Sequence, residues 1–209
     1  MRSLVLVLVS GCAIGGSNKQ PEAPASVHDR LSAEPTRLFI SGQGSTGELM
    51  AQRKGSDGSW ISGTSDLSIA NGELFAQADD TQMTASKFDL QLNDIDLPES
   101  VFGKPAQLQN VRVVLAKAAS GAVTWTDDDS ATATLPMQLD LSWAIEIDGT
   151  STQLGAQHFP EFPLDVTLTG GGDHVDATFG LHAQGTLWSW AGLVQLTELD
   201  LSLVGATVE

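Results

Sequence analysis

The sequence predicts an all-β protein, with about eight to ten antiparallel strands folded into a sandwich or a curved, closed barrel. Three observations support this prediction. Apolar and polar residues alternate with a period of two, turn residues separate the alternating runs, and no run shows a persuasive helical period. Each run has one apolar and one polar face, so the sheet must be covered on one side.

The clearest strand runs from Leu135 to Asp148. Every second residue from Leu135 to Ile147 is apolar, and most residues between them are polar, a pattern that excludes an amphipathic helix. Trp143 lies on the apolar face, so we expect it in the core. Shorter runs with the same alternation lie at 88–92, 111–115, 164–168, 175–183 and 194–203.

Two kinds of signal predict how the strands connect and bend. Asn71-Gly72 is the best candidate for a tight hairpin turn, and Asp148-Gly149 also marks a turn. The phase of the alternation changes near Asn93-Asp94 and again between Leu196 and Leu199. A β-bulge produces such a change, so we expect a bulge near Asn93-Asp94.

The chain is strongly acidic. Its 209 residues include 26 Asp and Glu against 10 Lys and Arg, the formal net charge is −16, and no Lys or Arg follows Lys117. Such a surface repels nucleic-acid phosphates and anionic lipid headgroups, so we expect neither as a partner. We interpret the acids chiefly as a solvated coat. The length suits one domain, which we place at residues 36–209.

The first twelve residues have the order of a secretory signal. Met1-Arg2 is positively charged, Leu4 to Val9 are apolar, and small residues precede Cys12, the single cysteine. The segment Val9-Ser10-Gly11-Cys12 resembles the lipobox of bacterial lipoproteins. The resemblance implies that residues 1–11 are removed, that the Cys12 thiol receives diacylglycerol, and that the new amine receives an acyl chain such as palmitate.

The resemblance also implies a location. A lipoprotein is anchored in the cell envelope, and Ala13 after the cysteine, in place of Asp, implies the outer membrane if the organism is Gram-negative. More than one acyl chain makes the anchor stable, because each buried methylene contributes about 0.8 kcal/mol. Residues 12–35 are mostly small or polar without periodicity, so we expect a flexible tether in which His28 is solvated.

Candidate binding residues are few. The common catalytic and nucleotide-binding motifs are absent, so we predict no catalytic residue and no cofactor. Asp127-Asp128-Asp129 is the densest acidic spot and the candidate for a Ca²⁺ site, with a polar hairpin tip as the simpler interpretation. Trp188 and Trp190 share one side of a strand and are candidates for ligand binding, with a core position as the simpler interpretation.

The histidines suggest no metal site. His174 and Asp176 share a strand face with His182, but His182 would lie about 26 Å from His174 on a straight strand. The three side chains therefore cannot bind one metal ion, and we expect them to face solvent.

Three functions remain open. The first is an envelope lipoprotein with a non-catalytic β domain that has a structural or binding role, with a protein or a ligand as partner. The second is a periplasmic carrier of lipid or another apolar ligand, in which the apolar faces line a cavity. The third is a hydrolase with two convergent surface carboxylates. The sequence does not indicate an oligomeric state.

A barrel that turns its apolar faces to lipid would also fit the alternation. Two features disfavour it: the chain has no tyrosine for an aromatic girdle, and its last residues are Thr-Val-Glu rather than aromatic. A lipid anchor would in addition be redundant on such a barrel.

Overall fold

The computed structural model of the chain describes residues 25–171, 174–190 and 194–207. The predicted signal segment, Cys12 and the first part of the predicted tether lie outside these residues. The described residues form two short helices and eleven strands. In chain order they are α1 (Val27–Ala33), β1 (Thr36–Lys54), β2 (Trp60–Leu67), β3 (Ile69–Ala78), β4 (Gln82–Leu92), β5 (Ile95–Leu97), α2 (Glu99–Phe102), β6 (Ala106–Lys117), β7 (Ala119–Asp127), β8 (Ser130–Ile147), β9 (Thr150–Gly171), β10 (His174–Trp190) and β11 (Val194–Ala206).

The strands form an antiparallel up-and-down barrel. Strands β2 and β3 pair with different parts of β1, and strands β6 and β7 pair with different parts of β8. Each of these two pairs of short strands therefore takes the place of one long strand in the barrel. Strand β4 joins them, since it pairs with β3 on one side and with β6 and β7 on the other. From β8 to β11 each strand pairs with the next, and β11 pairs with β1 to close the ring. The all-β prediction is confirmed, in its closed-barrel form.

The apolar strand faces turn into the barrel. One continuous cluster of buried apolar side chains extends from Leu31 in α1 to Val101 in α2. Trp143, predicted in the core, is buried there. Among the described residues, Trp60 and Val204 are the large apolar side chains that remain exposed. Because these apolar side chains are buried together, burial of apolar area holds the barrel together.

Residues 27–33 differ from the predicted flexible tether, because they form α1. Val27 and Leu31 lie one helical turn apart and are buried in one end of the barrel, which we call the α1 end. The helix begins with a capping box: the Ser26 hydroxyl accepts a hydrogen bond from the Asp29 backbone N–H, and the Asp29 carboxylate accepts one from the Ser26 backbone. Regular structure is therefore present before Pro35.

Two predicted turns have different outcomes. Asp148-Gly149 forms the tight turn between β8 and β9, with φ values of 54° and 76°. Asn71-Gly72 is not a turn, because both residues lie inside β3. Neighbouring strands approach Gly72 so closely that an added Cβ would lie 2.8 Å from Leu90 Cδ1. Close packing inside the barrel, rather than a reversal of the chain, explains this glycine.

The two phase changes also differ in kind. Near Asn93-Asp94 the expected bulge is instead a break that ends β4 and starts β5. In β11 the change is a bulge: Glu198 and Leu196 face consecutive residues of β1, so Thr197 is the extra residue.

The barrel is incompletely paired toward its other end, which we call the α2 end. Residues Leu164–Gly171 of β9 pair with residues His174–Leu181 of β10. Strand β9 then carries an extra residue relative to β8 between Phe162 and Phe159, which bends it. Within the described strands, residues 150–163 of β9 and residues 182–190 of β10 are not paired with each other. Neither described helix is long and apolar enough to span a bilayer.

Candidate functional site

A groove crosses the outer face of the barrel from β1 over β3, β4 and β6 to β8, with a volume of about 550 Å³. We call it the outer groove. Strand register places its side chains in two rows. One row contains Phe39, Glu73 and Asp89 on β1, β3 and β4. The other row contains Asn71, Gln91, Arg112 and Ser142 on β3, β4, β6 and β8.

Glu73 is the centre of an ion-pair network in the first row. Its carboxylate accepts a hydrogen bond from Arg37 Nε at 2.7 Å and contacts Lys87 Nζ through its other oxygen. Only 14% of the Glu73 side chain is exposed, so the two cations shield it from water. The hydrogen bond from Lys87, with a further one from Arg37, holds the pKa of Glu73 below its ordinary value.

Asp89 and Arg112 form a second ion pair between β4 and β6. The guanidinium donates from Nε to Oδ1 at 2.8 Å and from its terminal nitrogen to Oδ2 at 2.5 Å, which is the two-pronged geometry that fixes both groups. This hydrogen bonding from Arg112 lowers the pKa of Asp89, and Asp89 raises the pKa of Arg112. Both acids of the groove are therefore held in their charged form.

Aromatic rings lie under Arg37 of the groove and under Lys87 beside it. The guanidinium carbon of Arg37 lies 3.9 Å from the centre of the Phe39 ring and 5.7 Å from that of Phe75. Lys87 Nζ lies 5.5 Å from the centre of the Phe75 ring. At such distances a cation is attracted to the ring face, by about 0.5–1 kcal/mol at exposed sites. The rings thus hold the cations in place while they stay half-buried themselves.

The outer groove differs in charge from the rest of the chain. Arg37 and Arg112 balance Glu73 and Asp89 in its lining, and Lys87 contacts Glu73 from beside the groove, so this patch is not acidic in a chain of net charge −16. The amides of the second row add hydrogen-bond donors and acceptors. One half-buried aromatic ring, charges fixed by ion pairs, and side-chain amides suit a surface that binds a partner.

The predicted acidic spot holds α1 in place. Asp129 Oδ1 accepts a hydrogen bond from the Val27 backbone N–H at 3.1 Å, and the Asp128 carbonyl accepts one from the His28 backbone N–H at 3.0 Å. Asp127 Oδ1 accepts one from the backbone N–H of Asp129 at 2.9 Å. A carboxylate also suits the positive end of the helix dipole. The three acids thus form a polar turn with a structural role.

For the other predicted site residues, the structure describes the backbone alone or nothing. Trp188 and Trp190 are in β10, opposite Leu196 and Val194 of β11. Their side chains lie outside the described part, and so does Cys12, so their predicted roles stay predictions.

Each of the four histidines contacts an aspartate. The pairs are His28 with Asp80 at 2.8 Å, His158 with Asp140 at 2.8 Å, His174 with Asp176 at 3.3 Å, and His182 with Asp200. His28 is less solvated than expected, because its ring also lies 4.7 Å from that of Trp125. The sequence pattern could not reveal the partners of His158 and His182, because those partners belong to neighbouring strands whose register it does not specify.

A second pocket of about 300 Å³ lies at the α2 end, and we call it the α2-end pocket. Its apolar part comes from Ile145 and Ile147 of β8 and Leu154 of β9. Lys104 and Asp148 also line it, and their charged groups lie 3.7 Å apart. A small, mostly apolar molecule with one polar group would suit this lining.

Comparison with family models and with curated proteins finds no match for this chain. Two solved structures of Ail, the attachment invasion locus protein of Yersinia pestis, are similar to it. One is a complex with the heparin analogue sucrose octasulfate, with a TM-score of 0.40 and 9% identity. The other has a TM-score of 0.35 and 10% identity. In both, the match covers 83% of this chain and 97% of the other. Similarity at this level carries no information on what the present chain binds.

Proposed function

We propose that the chain is a membrane-anchored, non-catalytic envelope protein that binds a partner through the outer groove. The ion-paired groove carries the proposal, because it combines Arg37 and Arg112, each paired with an acid, with the half-buried Phe39 ring on a strongly acidic chain. Arginine and aromatic residues are the types enriched at binding interfaces and at their energetic centres. Since the ion pairs fix these side chains in advance, a partner would pay little entropy to order them.

The anchor supports the location in this proposal. Cys12 stands thirteen residues before Ala25, where the described chain begins. Thirteen residues reach at most about 45 Å, so a lipid on Cys12 would keep the barrel close to the bilayer. Apolar side chains buried inside the barrel and mostly polar exposed residues suit a barrel that lies in water beside a membrane.

The state of the groove acids argues against a carboxylate-pair hydrolase site in the outer groove. Carboxylate-pair hydrolysis needs one acid with a raised pKa that stays protonated near neutral pH. Cations lower the pKa of both Glu73 and Asp89 instead. These acids are therefore suited to ionic contacts and not to proton donation.

Site-specific photo-crosslinking in the native envelope tests the binding role. A photoreactive amino acid in place of Gln91 lies in the groove, and the same residue in place of Thr167 lies on the exposed face of β9 as the matched control. We expect a discrete crosslinked product from position 91 and none from position 167. No product at position 91, or the same products at both positions, would contradict the proposal.

A carrier of a small apolar ligand is the second candidate, and the α2-end pocket favours it. The pocket lies beside the stretch where β9 and β10 are unpaired, but its 300 Å³ is at the lower limit of ligand pockets. A fluorescent fatty acid titrated into the full chain distinguishes the two candidates. Saturable binding that Leu154→Trp abolishes and Thr167→Trp retains would favour the carrier. We expect no saturable binding.

A further inference from the structure

We propose that His182, Glu198 and Asp200 form a binding site for a divalent transition-metal ion on the outer face of β10 and β11. This face is separate from the outer groove, and the inference does not depend on the proposed function. We define these three residues as the β10–β11 cluster.

Strand register brings the cluster together. His182 of β10 lies directly opposite Asp200 of β11, and Gln184 lies directly opposite Glu198. Side chains two residues apart on one strand share a face, so all four point outward from the barrel. The bulge at Thr197 follows immediately, and it resets the alternation so that Glu198 and Asp200 share the outer face while Leu196 points inward.

The ligand atoms are close enough for one ion. His182 Nδ1 already contacts Asp200 Oδ1, and one ligand atom from each of the three residues lies within 4.8 Å of the other two. A tetrahedral zinc ion with bonds of about 2.0–2.2 Å needs its ligand atoms about 3.3 Å apart. About half of the His182 and Asp200 side chains is exposed, so both can rotate through the remaining distance.

The charge around the cluster favours a cation. Asp200 also faces Glu48 on β1, and Glu48 faces Asp66 on β2, so three carboxylates stand side by side on adjacent strands. Like charges in directly opposite positions destabilise a sheet. His182 is the basic group of this row, and it carries at most one positive charge. A divalent ion would offset the repulsion more fully, and it would replace the proton between His182 and Asp200.

The donor set indicates the class of metal. Imidazole nitrogen suits zinc, copper, nickel and iron, whereas Ca²⁺ and Mg²⁺ prefer sites made of oxygen alone. Three protein ligands leave a coordination position for water, and the Gln184 amide nitrogen orients one ligand by donating a hydrogen bond to Glu198 at 3.3 Å. Zinc is therefore the probe of choice.

Calorimetric titration of zinc into the full chain, extracted in detergent and freed of metal with a chelator, tests the site. We expect one ion per chain, with the affinity lowered at least about tenfold by His182→Ala and by Asp200→Asn. His158→Ala is the matched control, because His158 contacts Asp140 across β8 and β9 at 2.8 Å without being part of a three-ligand group among the described residues.

The outcomes separate the cluster from nonspecific binding. Absence of zinc binding in the parent chain, or equal affinity in the His182→Ala variant, would overturn the proposal. An equal loss in His158→Ala would also overturn it, because it would indicate general binding to exposed histidines. As a second readout, zinc should shift the ring signals of His182 and not those of His158 in NMR spectra, which keeps the test decisive if a variant folds poorly.

Discussion

Asp129 accepts a hydrogen bond from the backbone amide of Val27, and this contact joins the acidic turn between β7 and β8 to the first turn of α1. The two residues are 102 positions apart in sequence. The contact links the densest acidic spot of the chain to a segment that the sequence pattern predicts to be a flexible tether. The Asp129 carboxylate of this turn therefore has a structural role in the attachment of the helix.

Replacement of Asp129 tests this attachment. Asp129→Ala removes the carboxylate that satisfies the Val27 amide, so we expect the free energy of unfolding to fall by about 1 kcal/mol. Asp128→Ala is the control, because Asp128 contributes its backbone carbonyl, which the substitution keeps. Urea unfolding of both variants gives the comparison. Equal stability of the two variants would show that the Asp129 side chain does not hold the helix.

The burial of Leu31 gives a second prediction. Leu31 is fully buried where α1 enters the barrel, so Leu31→Ala should cost about 2–5 kcal/mol of unfolding free energy. Glu34→Ala replaces an exposed residue just past the helix, so it should change the free energy of unfolding by less than about 0.5 kcal/mol. If thermal unfolding shows Leu31→Ala to be as stable as the parent, α1 is not part of the barrel core.

Two glycines of the strands should respond differently to an added methyl group. In Gly72→Ala the new Cβ would lie 2.8 Å from Leu90 Cδ1 and 3.2 Å from Ile40 Cβ, so we expect a loss of about 1–3 kcal/mol. In Gly155→Ala the Cβ meets nothing within 4 Å, so we expect no loss or a gain below about 1 kcal/mol. Chemical denaturation of the two variants measures this difference, and the reverse order would contradict the register of β3.

The Glu73 network should make stability depend on pH. The pKa of Glu73 is lowered in the folded chain, so the unfolded chain binds the proton more readily and acid favours unfolding. The stabilisation is complete above the ordinary pKa of 4.5 and is lost as the pH falls through the lowered folded value.

Glu73→Gln removes this dependence. The decrease in unfolding free energy between pH 7 and pH 3, measured by urea unfolding, should be smaller in Glu73→Gln than in the parent chain. Asp128→Asn, which changes an exposed acid of the β7–β8 turn, should behave like the parent. A decrease in Glu73→Gln as large as that of the parent would show that this network does not stabilise the fold.

The sequence was sufficient to predict the strands whose faces differ in polarity. From Leu135 to Ile147 every second side chain packs in or against the core, so the period of two in the sequence corresponds to the pattern of burial. The bulge in β11 was also visible, because Thr197 shifts the alternation by one residue. The helix α1 was not visible, since only Val27 and Leu31 of its seven residues are buried and two apolar positions do not establish a helical period.

The candidate sites required information that one sequence lacks. Asn71-Gly72 has the composition of a turn, but both residues lie inside β3. The side chain of Leu90 packs closely against Gly72, and no local sequence signal encodes this long-range contact. The pairing of Asp89 with Arg112, and of His182 with Asp200, depends on which strands are neighbours and in what register. The packing of the whole barrel determines which strands are neighbours and in what register they pair.

The mass of the intact protein, extracted from its own membrane, tests the proposed anchoring most directly. We predict the mass of a chain that begins at Cys12 plus diacylglycerol and one acyl chain, and we predict that Cys12→Ser leaves the membrane fraction. A mass that corresponds to residues 1–209 with a free thiol, or a Cys12→Ser variant that remains membrane-bound, would contradict the proposed anchor.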